Sequence, residues 1–325
     1  RVEQLKAERN AMSREIGRLL QSGGDAEAKQ ARVRGLGDEI KALDDRVRGI
    51  DASLEDLAQW FPNLPHGSVP RGDESHNEIL RSWGEPVRHP FAARVHDELG
   101  AALGLFDFER ATRMSGPGFA VFTGMGARLE RALIHFMLDL HVKEHGYTEV
   151  STPFLVKPEA ARGTGQLPKL AEDMYRTDVD GLYLIPTAEV SITNLYAQET
   201  LEEESLPIRH VGYSPCFRRE AGSYGKDTRG LTRIHQFDKV EMVKFVHPEG
   251  SYEELESLLG NAEDVLQRLG LAYRVVVLAS GDLSFAAAKC YDIEVWAPGA
   301  ERWLEVSSCS NFEDFQARRA GIRFK

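Results

Sequence analysis

The densest chemistry in this 325-residue chain lies between Phe217 and Glu241, in the stretch FRREAGSYGKDTRGLTRIHQFDKVE. A strand-like run, HVGYSPCF, ends in Arg218, Arg219 and Glu220, a glycine-rich charged loop follows, and a second strand-like run carries His235, Phe237, Lys239 and Glu241. Two strands joined by a cationic loop suit a polyanion such as a nucleoside triphosphate, because guanidinium forks pair with phosphate oxygens in a bidentate way. An aromatic on the return strand can stack a base.

Those residues need a scaffold, and the chain is long enough for one large domain with an appendage or for two ordinary domains. An apolar share of 42% supports a real core. The formal charge of −11 argues against indiscriminate coating of nucleic acid but leaves room for a local basic patch. Cys216, Cys290 and Cys309 are too few and too scattered for a disulfide framework or a Cys-pair zinc site, so reduced core thiols are expected. There is no cationic, apolar leader and no apolar run near about 18 residues, so neither secretion nor membrane spanning is expected and the cytoplasm is the expected compartment.

At the N-terminus, apolar residues recur at Val2, Leu5, Met12, Ile16 and Leu19, and after QSGGD at Val33, Leu36, Ile40, Leu43, Val47, Ile50, Leu54 and Leu57. Alternating three- and four-residue steps make a heptad seam, and the Gly-Gly break predicts an antiparallel helical hairpin. Its second arm, over 26–59, would extend about 50 Å at about 1.5 Å per residue, leaving the seam beyond about residue 45 without a partner in this chain. Residues 1–34 carry eight Lys/Arg against five Asp/Glu, whereas residues 35–59 carry three against seven, so the tip is the basic end. A solvated helix face would account for that charge as well as a binding role would.

The proline-containing stretch from Pro62 to about residue 78 reads as a linker, with the main body starting near Gly84. Beyond it, helical patterning over 126–145, 187–200 and 251–269 alternates with strand-like runs at 182–185, 208–217, 231–246, 273–278, 291–297 and 303–308. This pattern predicts an α+β body with a mostly antiparallel sheet.

Four strings sharpen the picture: the Phe-Arg-x-Glu turn at Phe217, GTGQLP at 163–168, PTAEV at 186–190 and EVSSCSNFEDF at 305–315. In their order along the chain they resemble bacterial-type seryl-tRNA synthetases, and the resemblance runs from the first residue to the last. It implies a class II synthetase antiparallel sheet with flanking helices, preceded by the coiled-coil hairpin. The domains are then a tRNA-binding arm over 1–60, a linker over 61–84 and a catalytic domain over 85–325. The implied activity is that of an ATP- and Mg²⁺-dependent ligase that converts L-serine to seryl-adenylate and transfers it to tRNA(Ser). Alternatives with the same residues are a relative that passes the adenylate to another acceptor, or a non-catalytic tRNA-binding paralogue.

Residue roles follow from that resemblance. Arg218 is the catalytic residue, bridging the serine carboxylate and the α-phosphate. Thr187, Ala188 and Glu189 of the TAE string, with Arg218 and Glu241, form the serine pocket. Arg218, Arg219, Glu220, Ile234, Phe237, Glu305, Val306, Ser307 and Ser308 hold ATP, with Glu220 accepting from the adenine amino group, Phe237 stacking on adenine, and Glu305 and Ser308 also holding Mg²⁺. Lys29, Arg32 and Arg34 at the basic tip reach tRNA, and the helix–strand pair ending at Pro153 resembles motif 1, which implies a homodimer. Thr187 could instead only cap the helix that follows it.

Three strings are set aside. HVKEH at 141–145 matches a zinc-peptidase pattern but falls on the motif 1 packing helix with no third ligand in view. GSYGKD at 222–227 has too few residues between its glycines, and no Ser/Thr after the lysine, for a phosphate loop. FTGMGARL lacks the third glycine of a dinucleotide fingerprint. The family's motif 3 is expected after EVSSCSNFEDFQ and does not appear before Lys325, so with the short first helix the expectation is an incomplete chain.

Overall fold

The computed structural model describes residues 1–221 and 230–325, so GSYGKD lies outside the described residues. The chain divides into two compact units, Arg1–Phe61 and Pro62–Lys325.

The first unit is a helical hairpin of α1 (Val2–Gln21) and α2 (Glu27–Ala58), with Gly23 at φ 71° supplying the left-handed turn that a side chain would resist. Leu36 and Ile40 are the buried seam residues of α2. Ion pairs run across the hairpin from Arg1 to Glu39 (2.7 Å), Lys29 to Glu15 (2.7 Å) and Arg32 to Glu8 (3.1 Å). Val47, Ile50, Leu54 and Leu57, on the distal half of α2, are exposed.

In the second unit the first strand, β1 (Glu78–Trp83), precedes α3 (His96–Ala102), α4 (Phe108–Ser115) and α5 (Met125–Lys143). Short elements follow: β2 (Thr148–Glu149), β3 (Leu155–Val156), α6 (Pro158–Gly163), β4 (Tyr183–Leu184), α7 (Glu189–Thr193) and β5 (Thr200–Leu201). The long elements come next: β6 (Ile208–Phe217), β7 (Gln236–Phe245), α8 (Ser251–Leu269), β8 (Tyr273–Val277), β9 (Lys289–Ala297) and β10 (Arg302–Asn311). The chain closes with α9 (Phe315–Ala320) and β11 (Arg323–Phe324).

Two main sheets result. One has the order β2-β6-β7, with β2 parallel to β6 and β6 antiparallel to β7; the other, β1-β8-β9-β10, is antiparallel throughout. Helix α8 places Leu255, Leu259, Ala262 and Leu266 at helical spacing on one stripe, and they bury against Tyr273, Val275, Tyr291, Ile293 and Cys309 of the second sheet. Each buried leucine there contributes roughly 1.5–3 kcal/mol, and Leu259→Ala would cost about 2–5 kcal/mol. Helix α5 covers the first sheet through Leu138 against Val211, with Tyr147 completing the cluster. Gly126 near the start of α5 is needed for close approach, since a Cβ there would lie 2.0 Å from the Leu105 carbonyl oxygen.

From Pro62 onward the interval expected to be a linker belongs to the second unit, and it contains a strand. Strand β1 pairs with β8 from Glu78↔Val277 to Trp83↔Tyr273, and Arg81 reaches the Glu263 carboxylate with Nε at 2.9 Å. Before it, the Asn63 amide donates to the Ala286 and Phe312 carbonyls, both at 2.9 Å. All six β1 residues are exposed, so backbone pairing, the Arg81 bond and the stacking of Trp83 on Tyr273 hold this edge strand, and no apolar alternation marks it.

The helix expected over 187–200 is shorter, ending α7 at Thr193 and passing into a 3₁₀ turn over Asn194–Tyr196. The return strand expected from 231 begins at Gln236. The three cysteines are free and buried. No helix among the described residues is long and apolar enough to cross a membrane.

Candidate active site

A cleft of about 1260 Å³ is bounded by β7, β10 and the turns after β4 and β6, and it draws in Thr187, Glu189, Arg218, Glu220, Glu241, Glu305 and Ser308. The sequence reading chose all seven. Arg233, Lys239 and Gln316 line it too and were not assigned there.

Strand β6 ends at Phe217, and the chain turns away at Arg218, whose N–H still pairs with the His235 carbonyl at 2.9 Å. The Arg218 Nε donates to the Pro186 carbonyl at 3.2 Å, and its guanidinium carbon lies 5.0 Å from the Phe237 ring centroid. Backbone and ring together therefore fix this cation beside the residue that precedes Thr187. Asp173 clamps the turn, its carbonyl accepting from Arg219 N–H at 2.8 Å and its Oδ1 from Ala221 N–H at 3.0 Å. Glu220, at φ 54°, ion-pairs with Arg233 at 2.5 Å. Arg219 is exposed, Ile234 is buried, and neither lines the cleft; nor does Phe237.

Thr187 is not the side-chain cap of α7, because Ala188 holds that position and no side-chain cap bond forms. The Thr187 hydroxyl instead donates to Glu241 Oε2 at 2.7 Å and accepts from Lys239 Nζ at 2.7 Å. Lys239 and Glu241 alternate onto one face of β7, so the lysine also lies 3.0 Å from Glu241 Oε2. Ala188 is buried and does not line the cleft. Glu189 receives Gln316 Nε2 at 2.5 Å, and the same amide donates to the Thr164 carbonyl at 3.2 Å. Burial first, and the nearby Glu241 charge second, push the Glu189 carboxyl from 4.5 up to about 7, against the pull of Gln316, Lys239 and Arg218.

Strand β10 carries a bulge. Its pairing with β9 shifts between Glu305↔Glu294 and Ser307↔Ile293, making Val306 the extra residue, 54% exposed. Three positions along a regular strand would put Glu305 and Ser308 on opposite faces, whereas the bulge returns both to the face that carries Glu294 and Asp292 on β9. Ser307 falls on the other face with Cys309. Glu305 is exposed by surface area yet closely surrounded by protein atoms, and desolvation raises its carboxyl against the attraction of Arg218 and Lys239. Behind Ser308, burial and the Glu305 charge raise Asp292 to about 7. One carboxylate and one hydroxyl on a shared face are hard oxygen donors of the kind Mg²⁺ takes from protein, with phosphate and water supplying the rest. The residues present therefore fit the ion.

Neither histidine of HVKEH approaches this cleft. His141 Nδ1 and His145 Nδ1 are 2.9 Å apart, and His145 Nε2 is 3.0 Å from Asp264 Oδ2. No cluster of three or more His, Cys, Asp or Glu suited to a metal occurs among the described residues.

Comparison with known proteins identifies the family. Residues 1–65 match the seryl-tRNA synthetase N-terminal domain, and residues 173–325 match the tRNA synthetase class II core domain (G, H, P, S and T). The serine–tRNA ligase of Carboxydothermus hydrogenoformans is 57% identical over the whole chain and 77% of its own length, and that of Solibacter usitatus is 53% identical with the same coverage. Among solved structures, the seryl-tRNA synthetase from Pyrococcus horikoshii complexed with ATP superposes with a TM-score of 0.94 at 37% identity, covering 100% of this chain and 77% of that one. The cytoplasmic serine–tRNA ligase from Naegleria fowleri in complex with AMP gives 0.89 at 29% identity, covering 99% and 78%. With both domains matched and more than half of its positions identical to a relative aligned along the whole of this chain, the chain belongs to the seryl-tRNA synthetase family of class II aminoacyl-tRNA synthetases.

Proposed function

We propose that this chain performs the family's ATP-dependent ligation of serine to tRNA, with the cleft residues in the following roles. A serine carboxylate oxygen attacks the α-phosphorus of ATP, the bond to pyrophosphate breaks, and seryl-adenylate forms for transfer to tRNA(Ser). Two anions must meet, so a fixed cation between them lowers the barrier. Arg218 takes that role, and the observation that carries the reading is its fixed place beside Pro186 and over Phe237, with Thr187, Glu189 and Glu241 in the same cleft as Glu305 and Ser308.

The three serine-side groups suit an ammonium and a small hydroxymethyl side chain, with the buried Ala188 between Thr187 and Glu189 in sequence. On the nucleotide side, Glu220 and Phe237 take the adenine, with Ile234 contributing backbone. Arg219, Val306 and Ser307, outside the cleft lining, flank Arg218, Glu305 and Ser308 in sequence and are given a nucleotide role by the family resemblance alone. Glu305 and Ser308 would hold Mg²⁺, which when bound supplies charge neutralisation to the phosphates.

The hairpin, Arg1–Phe61, serves as the tRNA arm, with Lys29, Arg32 and Arg34 near its tip, and Pro62–Lys325 forms the catalytic unit. The exposed Met125 and Leu129 on α5 support a homodimer through motif 1. A tRNA substrate supports the cytoplasm as the compartment. Serine-dependent exchange of pyrophosphate into ATP by the intact protein tests the activation step; exchange that does not depend on serine would overturn it.

A further inference from the structure

The closed triangle of Thr187, Lys239 and Glu241 carries a consequence for which amino compounds the pocket accepts. A hydroxyl has one proton and two lone pairs. At Thr187 the proton goes to Glu241 Oε2 (2.7 Å), one lone pair faces Lys239 Nζ (2.7 Å), and the other faces the Glu189 N–H at 3.4 Å. Lys239 Nζ is also 3.0 Å from that same Oε2. Lys239 thus makes, with its own ammonium, the contacts that a substrate ammonium needs.

We propose that Lys239 makes the pocket selective for a zwitterion: an incoming ammonium takes the lysine's place on Thr187 and Glu241, and the incoming carboxylate gives the displaced lysine a new partner. This inference rests on the serine-pocket reading above. An amine without a carboxylate evicts Lys239 and leaves a half-buried ammonium unpaired, which the low-dielectric cleft penalises. A carboxylate without an amine leaves the triangle closed and finds no ammonium site. Serine satisfies both halves at once. The lysine stands where it can do this, since it lines the same cleft as Arg218.

Equilibrium binding of L-serine and of ethanolamine, which is serine without its carboxylate, separates the possibilities. The intact protein should prefer serine strongly. In Lys239→Met that preference should shrink by about tenfold or more, through weaker serine binding and undiminished ethanolamine binding, while Lys239→Arg keeps it within about threefold. Lys239→Gln, neutral and still able to donate to Thr187, should behave as the Met variant does and decides the matter if the Met variant melts below the assay temperature. Pyrophosphate exchange should show the same split, with the KM for serine rising and the KM for ATP little changed. A serine-to-ethanolamine ratio unchanged in both neutral variants, in a protein that still activates serine, overturns the role of Lys239. Failure of the unaltered protein to bind serine overturns the pocket reading itself.

Discussion

The guanidinium of Arg218 lies over the ring of Phe237, 5.0 Å from its centroid, while its Nε donates to the Pro186 carbonyl. The cation expected to act at the α-phosphate is therefore held by the aromatic on the return strand, so the two residues act as a pair.

Replacing Arg218 by Ala should cost about 3 kcal/mol or more in the transition state, roughly a hundredfold or greater in serine-dependent pyrophosphate exchange. Phe237→Leu removes the brace and should lower the exchange rate as well as ATP affinity, by about tenfold, in line with a cation–π contact of about 1–2 kcal/mol. An Arg218→Ala enzyme with an unaltered rate would remove this residue from the chemistry.

Deleting Val306 should be more damaging to nucleotide binding than any substitution of it. The deletion takes out the bulge and turns either Glu305 or Ser308 to the wrong face of β10, whereas Val306→Ala leaves the spacing intact. The check is calorimetric titration of Mg²⁺–ATP into both variants, with a circular dichroism spectrum to confirm that the sheet persists. Equal affinity in the two would mean that the bulge does not organise the site.

Glu189 gives the site a pH dependence with a definite sign. Its carboxyl is raised from 4.5 to about 7, mainly by burial, so the folded state holds the proton more tightly than the unfolded chain does. Its contribution to stability is therefore lost as pH rises from about 4.5 through about 7. Glu189→Gln should stabilise the unliganded protein by on the order of 1–3 kcal/mol at pH values above about 8, and by little near pH values of about 5. Serine affinity runs the other way and should weaken as pH falls through about 7, because protonation removes the negative charge that faces the ammonium. Thermal melts and serine titrations across that range, on both proteins, read out the two effects separately.

In the arm, Lys29 and Arg32 are tied to Glu15 and Glu8 across the hairpin, whereas Arg34 is exposed. Reversing Lys29 or Arg32 would disturb the hairpin as well as the charge. Arg34→Glu is the cleaner probe and should weaken tRNA binding while reducing its salt slope by about one unit. Seryl-adenylate formation should be unchanged. Unaltered tRNA affinity and salt slope would leave the tip outside the tRNA interface.

The long periodic elements were legible from the residues alone. Helix α8 spans Ser251–Leu269 and strand β6 spans Ile208–Phe217, as their patterns predict, because each presents an unbroken apolar stripe or a run of β-formers to a core. Strand β1 was not legible: its exposed residues carry no alternation, and it is held by backbone pairing to β8, an arginine reaching Glu263 and the stacking of Trp83 on Tyr273. In the site, Arg218, Glu241, Thr187 and Glu305 came from motif residues. Lys239 and Gln316 escaped because their meaning lies in partners 52 and 127 positions away, Thr187 and Glu189, and no local spacing rule connects them. The placing of Glu305 with Ser308 was assigned by resemblance, and only the register shift at Val306 gives it a physical cause.

The three buried thiols make the protein its own reporter of opening. Burial raises each of them, so none presents a reactive thiolate in the native state. They sit on different strands, Cys216 on β6 in one sheet and Cys290 and Cys309 on β9 and β10 in the other. Pulsed alkylation followed by peptide mass mapping should therefore time the loosening of each sheet separately, without an added label. Bound nucleotide should slow modification of both Cys290, beside Ser308, and Cys216, opposite Phe237, because ligand binding closes the fluctuations nearest to it.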